Sequence, residues 1–221
     1  MSSVDELRRA LTAAADPARA SQMRRYMRDQ FPFLGVTSTP RRTAARSFVR
    51  SFDTRPPAAS IEVTEQLWQQ PEREFAYVGS DLLARQAKRL DAEHIDALRF
   101  FITTKSWWDT VDALAALVVG PMVTRHPQLT AVMDEWIADD NVWVARTAIL
   151  HQLKYGNATD TDRLFAYCAA QAGHCDFFIR KAIGWALRQY ARTDPGSVRG
   201  FVADHHGDLS PLSIREATKH L

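Results

Sequence analysis

The chain has 221 residues and a net charge of +2 at neutral pH, with 46% of its residues apolar and 24% charged. That mixture is what a globular protein with a sizeable core requires. It excludes a fibrous or disulfide-framework class, and the longest apolar run, 113–119, falls far short of the roughly 18 residues that a bilayer helix needs.

In chain order, helical periodicity in stretches of roughly 10–16 residues recurs between Pro-, Gly- or Asp-rich turns. A first helix is predicted over 4–15, and Asp16-Pro17 opens a second through about Asp29. Phe31-Pro32-Phe33-Leu34-Gly35 forces a break. Thr39 can cap the next helix with Pro40 in its first turn, running to about Phe52 until Pro56-Pro57 ends that unit. Further helices are predicted at 61–69, 72–89, 92–102, 106–120, 127–138, 141–153, 160–171, 176–191, 195–204 and 211–220. Glycine is scarce and no Asn-Gly or Asp-Gly hairpin signal separates alternating apolar runs. The expected fold is therefore all-α, a single domain over 1–221 of antiparallel helix pairs. An internal echo supports stacking of those pairs: Arg146 to Leu153 matches Arg180 to Leu187 at Arg, Ala, Ile and the final Leu, 34 residues on. That offset is close to the period of helix-pair repeats, which bury their apolar faces only by stacking into a solenoid. A compact helical bundle is the alternative.

Charge alone makes no case for nucleic acid unless basic residues gather on one face. Arg24, Arg25, Arg28, Arg41, Arg42, Arg46 and Arg50 do crowd the first quarter, though a solvated helix face collects arginines too. Cys168 and Cys175 form no CxxC pair, and they read as idle thiols in a reducing cytoplasm. The polar, acidic start of the chain has no signal-peptide pattern. HExxH, a Gly-rich phosphate loop, GxSxG and PCxxC are all missing, so neither a metal nor an organic cofactor is expected.

The most unusual stretch is Thr103 to Asp112, with Trp107 and Trp108 adjacent. Ser106 is expected to cap the following helix, with Asp109 as the acidic partner of a capping box. Trp108 and Asp112, four residues apart, then share one face, while Trp107 points elsewhere. One reading makes both indoles packing residues and Asp112 solvated. The other opens the pair to a groove, where an indole face and a carboxylate attract positive charge, including charge that develops during a reaction. Arg146 and Trp185, on later helices, could line the same groove, but their relative facing stays open.

Several blocks resemble the AlkD-like DNA alkylation repair family. They are Tyr26-Met27, Gln30 to Gly35, Thr39 to Arg42, Thr103 to Asp112, Arg146 to Leu150, Gln152 to Tyr155, Phe177 to Arg188, Leu209 to Ser213 and Arg215 to Ala217, in order from about residue 22 to the end. The resemblance implies a solenoid of HEAT-like repeats with a concave, basic surface that cradles duplex DNA. It also implies hydrolysis of the N-glycosidic bond of N3- and N7-alkylated purines, with the lesion left stacked. Trp108, Asp112, Arg146 and Trp185 match the family's catalytic cluster, and Arg146 is expected to hold a phosphate beside the lesion. Tyr26 matches an aromatic near the lesion. Lys105, Lys154, Arg188, Arg41 and Arg42 are expected backbone contacts. The expected partner is double-stranded DNA carrying alkylated purines, bound by a monomer, with no membrane and no cofactor. A non-catalytic HEAT module binding DNA or protein, and a glycosylase specialised for bulky alkyl adducts, are the alternatives.

Overall fold

The computed structural model describes residues 3–221, and among them every regular element is helical. The chain divides into two compact units, one ending at Leu90 and one spanning Asp91–Leu221.

The first unit contains α1 (Val4–Ala13), α2 (Pro17–Tyr26), α3 (Ser38–Arg50), α4 (Pro57–Gln69) and α5 (Arg73–Gln86). Ser3 and Glu6 close a reciprocal capping box on α1. Asp16 accepts from the amides of Ala18 and Arg19 to start α2. Leu7, Leu11, Phe48, Leu67, Phe75 and Leu82 meet in the core. The connection from α2 to α3 is a tightly specified arch. Arg28 and Asp29 both take left-handed backbone angles, φ 52° and 57°. At Gly35, φ is 87° and a Cβ would lie 2.0 Å from the Asp16 carbonyl oxygen, so only glycine fits. The arch is tied down by Glu74, fully buried on α5, whose carboxylate accepts from the amides of Leu34, Gly35 and Val36 at 3.1, 2.8 and 3.0 Å. Neighbouring Arg73, also fully buried, stacks its guanidinium 3.9 Å from the centre of the Phe31 ring.

The second unit begins with a 3-10 turn at Ala92–His94 and continues through α6 (Ile95–Thr103), α7 (Trp108–Leu114), α8 (Gly120–Arg125), α9 (Leu129–Trp136), α10 (Val142–Leu150), α11 (Thr161–Ala170), α12 (Phe177–Tyr190), α13 (Pro195–Asp204) and α14 (Pro211–Ala217). A π-helical turn, Ala115–Val119, joins α7 to α8. Here α7 packs on α10, α10 on α12 and α12 on α14, while α9 and α11 flank α10 and α13 packs on α12 and α14. This is a stack of helix pairs, and the two halves of the 34-residue echo fall on α10 and α12 within it. α12 and α14 approach closely at Gly184, where a Cβ would sit 2.4 Å from that of Glu216.

Three local expectations are corrected. The helix of Trp108 is capped by Trp107 in extended conformation with no side-chain cap bond. Ser106 instead donates to the Ile102 carbonyl at 2.7 Å, one of the carbonyls left over at the end of α6. Lys105, at φ 50°, turns the chain between those two helices. The helix expected to end at 120 runs on through the π turn to Arg125, because Pro121 sits in the first turn of α8. Likewise the helix expected from 61 begins earlier, with Pro57 opening α4 from its first turn.

Candidate active site

Within the second unit, α7, α10 and α12 bring three of the four expected cluster residues together. Asp112 on α7 is gripped by Arg146 on α10 through two parallel bonds, Nε to Oδ1 and Nη2 to Oδ2, each 2.7 Å. The third guanidinium nitrogen, Nη1, donates to the backbone carbonyl of Phe178 at the start of α12. Two turns further along α12, the Trp185 ring centre lies 5.5 Å from the Arg146 guanidinium carbon. Trp108 stands one turn before Asp112 on α7, half-buried, as the i,i+4 spacing requires.

The pair is polarised toward solvent. Arg146 is 1% exposed, whereas the Asp112 side chain keeps 18% of its surface. Burial is the main influence on Asp112 and pushes its carboxyl above the ordinary value, opposed by the hydrogen bonds and charge of Arg146. Guanidinium groups keep their protons in proteins, and a fork meeting both carboxylate oxygens at 2.7 Å is the geometry of an ionised pair. The anionic end of a buried dipole therefore faces outward.

Arg146 is occupied within the protein: its side chain is buried, and its three nitrogens donate to Asp112 and to the Phe178 carbonyl at the start of α12. Trp107 enters an aromatic cluster, its ring centre 5.7 Å from Trp143 and 5.0 Å from Phe178. That leaves its indole Nε1 buried without a hydrogen-bond partner.

Of the expected backbone contacts, Lys154 is exposed just beyond α10 and Lys105 is half-buried at its turn. Arg188 lies beside Trp185, its guanidinium carbon 5.9 Å from the ring centre. The first unit carries the other three. Tyr26 is 71% exposed at the end of α2. Arg42 is exposed and lies 3.5 Å from Asp81. Arg41 is buried, bonded to Asp81 at 3.1 Å and packed on the Tyr77 ring, so it serves the interior of that unit and not an outward contact. Two residues around Trp185 escaped the sequence reading: Lys181, whose Nζ lies 5.5 Å from the ring centre, and Glu216, which binds both Lys181 and Arg188. Lys181 precedes Trp185 by four residues, a helical-face signal that was available. The Phe178 carbonyl carried no such signal, because any residue has one.

Comparison with known proteins bears on this site. A solved structure from Enterococcus faecalis, described as a predicted DNA alkylation repair enzyme, superposes with a TM-score of 0.88 at 32% identity, covering 94% of this chain and 96% of that one. A Streptococcus mutans UA159 protein, smu.31, superposes at 0.64 with 15% identity, over 80% of this chain and 90% of that one, a likeness of fold alone. A comparison with curated proteins gave no match. The profile described as DNA alkylation repair enzyme matches residues 7–221. The chain belongs to the DNA alkylation repair enzyme family.

Proposed function

We propose that this DNA repair protein is a glycosylase that hydrolyses the N-glycosidic bond of cationic N3- and N7-alkylated purines in duplex DNA, without drawing the base into a pocket. The observation that carries the reading is the Asp112–Arg146 pair, with its carboxylate end outward and the Trp185 indole beside it.

Alkylation at N3 or N7 gives the purine a positive charge. When the bond from C1′ to the purine nitrogen breaks, its electron pair neutralises that charge and the base leaves neutral, so no general acid is needed. The sugar is left as an oxocarbenium ion. A carboxylate anchored against C1′ stabilises that developing charge, and it does so without reorganising, since both oxygens are already fixed by Arg146. Water then adds to C1′ and gives up a proton, for which the outer lone pairs of Asp112 are the nearest acceptor, leaving an abasic site. Trp108 and Trp185 offer π faces to the partly positive edge of the deoxyribose. Arg146 acts from behind as the residue that orients Asp112. Lys105, Lys154 and Arg188 take phosphates.

The test is base release from a duplex carrying N7-methylguanine, with wild type and Asp112→Asn compared. Release by the wild type and a loss of at least about 100-fold in the variant, with duplex affinity retained, is expected for an electrostatic group of this kind. Equal release by both would remove Asp112 from the chemistry. No release by either, with N3-methyladenine DNA also inert, would point to a binding module or a bulky-adduct enzyme. Uracil, whose leaving group lacks the built-in charge, is expected to stay in place.

A further inference from the structure

On α12, Lys181, Trp185 and Arg188 occupy positions i, i+4 and i+7 and share one face. Both cations lie within 6 Å of the indole centre, at 5.5 and 5.9 Å. Both are also tied to one carboxylate from the next inner helix: Lys181 Nζ donates to Glu216 Oε1 at 2.8 Å and Arg188 Nη1 donates to Oε2 at 2.7 Å. Glu216 is the deepest of the three, with 15% of its side chain exposed against 23% for Lys181 and 25% for Arg188. Its Cβ packs against Gly184, where an added Cβ would lie 2.4 Å away, so the two helices meet closely at this residue. The Lys181 ammonium is the main influence that holds the Glu216 carboxyl below its usual range.

This carboxylate uses one donor from each cation. Among the described residues, Nε and Nη2 of Arg188 make no hydrogen bond, and the remaining protons of Lys181 Nζ are equally uncommitted. Two cations are thus held in place within 6 Å of one indole centre, with spare donors and more exposed surface than the anion that orders them. That arrangement suits a monoanionic phosphodiester oxygen, which accepts from several donors and gains from side chains already ordered before binding.

We infer that Lys181 and Arg188 form a paired phosphate cradle beside Trp185, and that Glu216 is the positioning residue that preorganises it. The assignment rests on the reading of this face as the DNA-binding site and adds two residues to it.

The experiment measures affinity for an undamaged duplex as a function of salt. No base release is involved, so its outcome is independent of the Asp112 test. Lys181→Gln is expected to lower the slope of log affinity against log salt by about 0.9, one phosphate contact, with Arg188→Gln giving a similar loss and Lys181→Arg restoring it. Glu216→Gln keeps both cations and is expected to retain the slope while weakening binding several-fold, because the cations are no longer ordered. In a Glu216→Gln background, Lys181→Gln should cost less affinity than it does alone. An unchanged slope in Lys181→Gln, with a wild-type helical melting curve, would overturn the phosphate assignment. Tighter binding by Glu216→Gln would overturn the positioning role, making Glu216 a competitor of the phosphate.

Discussion

Glu74 in the first unit and Asp112 in the second are both carboxylates held against neighbouring elements, and the two are satisfied in opposite ways. In the first unit, Glu74 is fully buried and its acceptors go to three consecutive backbone amides of the 34–36 segment. Its partners cannot move without unmaking the arch, and no surface remains through which it could meet another molecule. In the second unit, Asp112 is bonded to one side chain, Arg146, and keeps an exposed edge next to an indole-lined face. A carboxylate bonded to backbone builds a loop, whereas one clamped from behind by an arginine is aimed. Burial alone does not separate a structural acid from a functional one; the identity of the partners and the direction of the remaining surface do.

The strongest way to break this comparison is Arg146→Ala, which leaves the Asp112 carboxylate in its buried setting with no counter-charge. A loss of about 3–5 kcal/mol in unfolding free energy is expected, measured by chemical denaturation. A much smaller loss would mean that Asp112 relaxes into solvent, and the aimed geometry would then depend little on Arg146.

His151 sharpens the contrast from the basic side. It is buried at the end of α10 with its Nδ1 against the Ala148 carbonyl at 2.7 Å, and burial pulls its pKa from 6.5 down to about 4. Between those values the unfolded chain binds a proton that the folded one refuses. Stability from this group is therefore present above pH 6.5 and is lost as pH falls toward 4, by about 3 kcal/mol across the window. Denaturation at pH 4.5 and 7 should show this difference in the wild type and a reduced one in His151→Gln; an identical dependence in both would show that His151 finds a charged partner on protonation.

Glu74→Gln removes the charge while keeping the shape, and a loss of about 2 kcal/mol is expected from weakened bonds to the arch amides. The loss should appear as faster amide exchange at Leu34, Gly35 and Val36, with the second unit unaffected. The smallest effect belongs to the exposed Asp53–Arg85 pair, 2.5 Å apart at the surface of the first unit. Asp53→Asn should leave the melting temperature unchanged, since exposed pairs contribute little; a clear drop would show that this pair, too, is structural.

Much of this was legible in one dimension. The helices follow from apolar periodicity and from caps such as Asp16, Asn141, Asp160, Asp176 and Asp194, because capping uses neighbours within three residues. The shared face of Trp108 and Asp112 follows from the 3.6-residue turn, and the blocks resembling the AlkD-like family pointed to Asp112, Arg146 and Trp185 as one cluster. Tertiary structure decided how those residues are used. Arg146 turns inward because its guanidinium finds Asp112, 34 residues away, and the Phe178 carbonyl, 32 residues away, and a buried cation must be paired. Arg41 is withdrawn by Asp81 and Tyr77 in the same manner. Ser106 leaves its expected cap because an orphan carbonyl of the preceding helix lies within reach. Glu216 joins Lys181 and Arg188 only because α14 closes on Gly184. Local rules set which segments coil and which side chains share a face; the direction of a long charged side chain depends on partners that folding alone brings within hydrogen-bond distance.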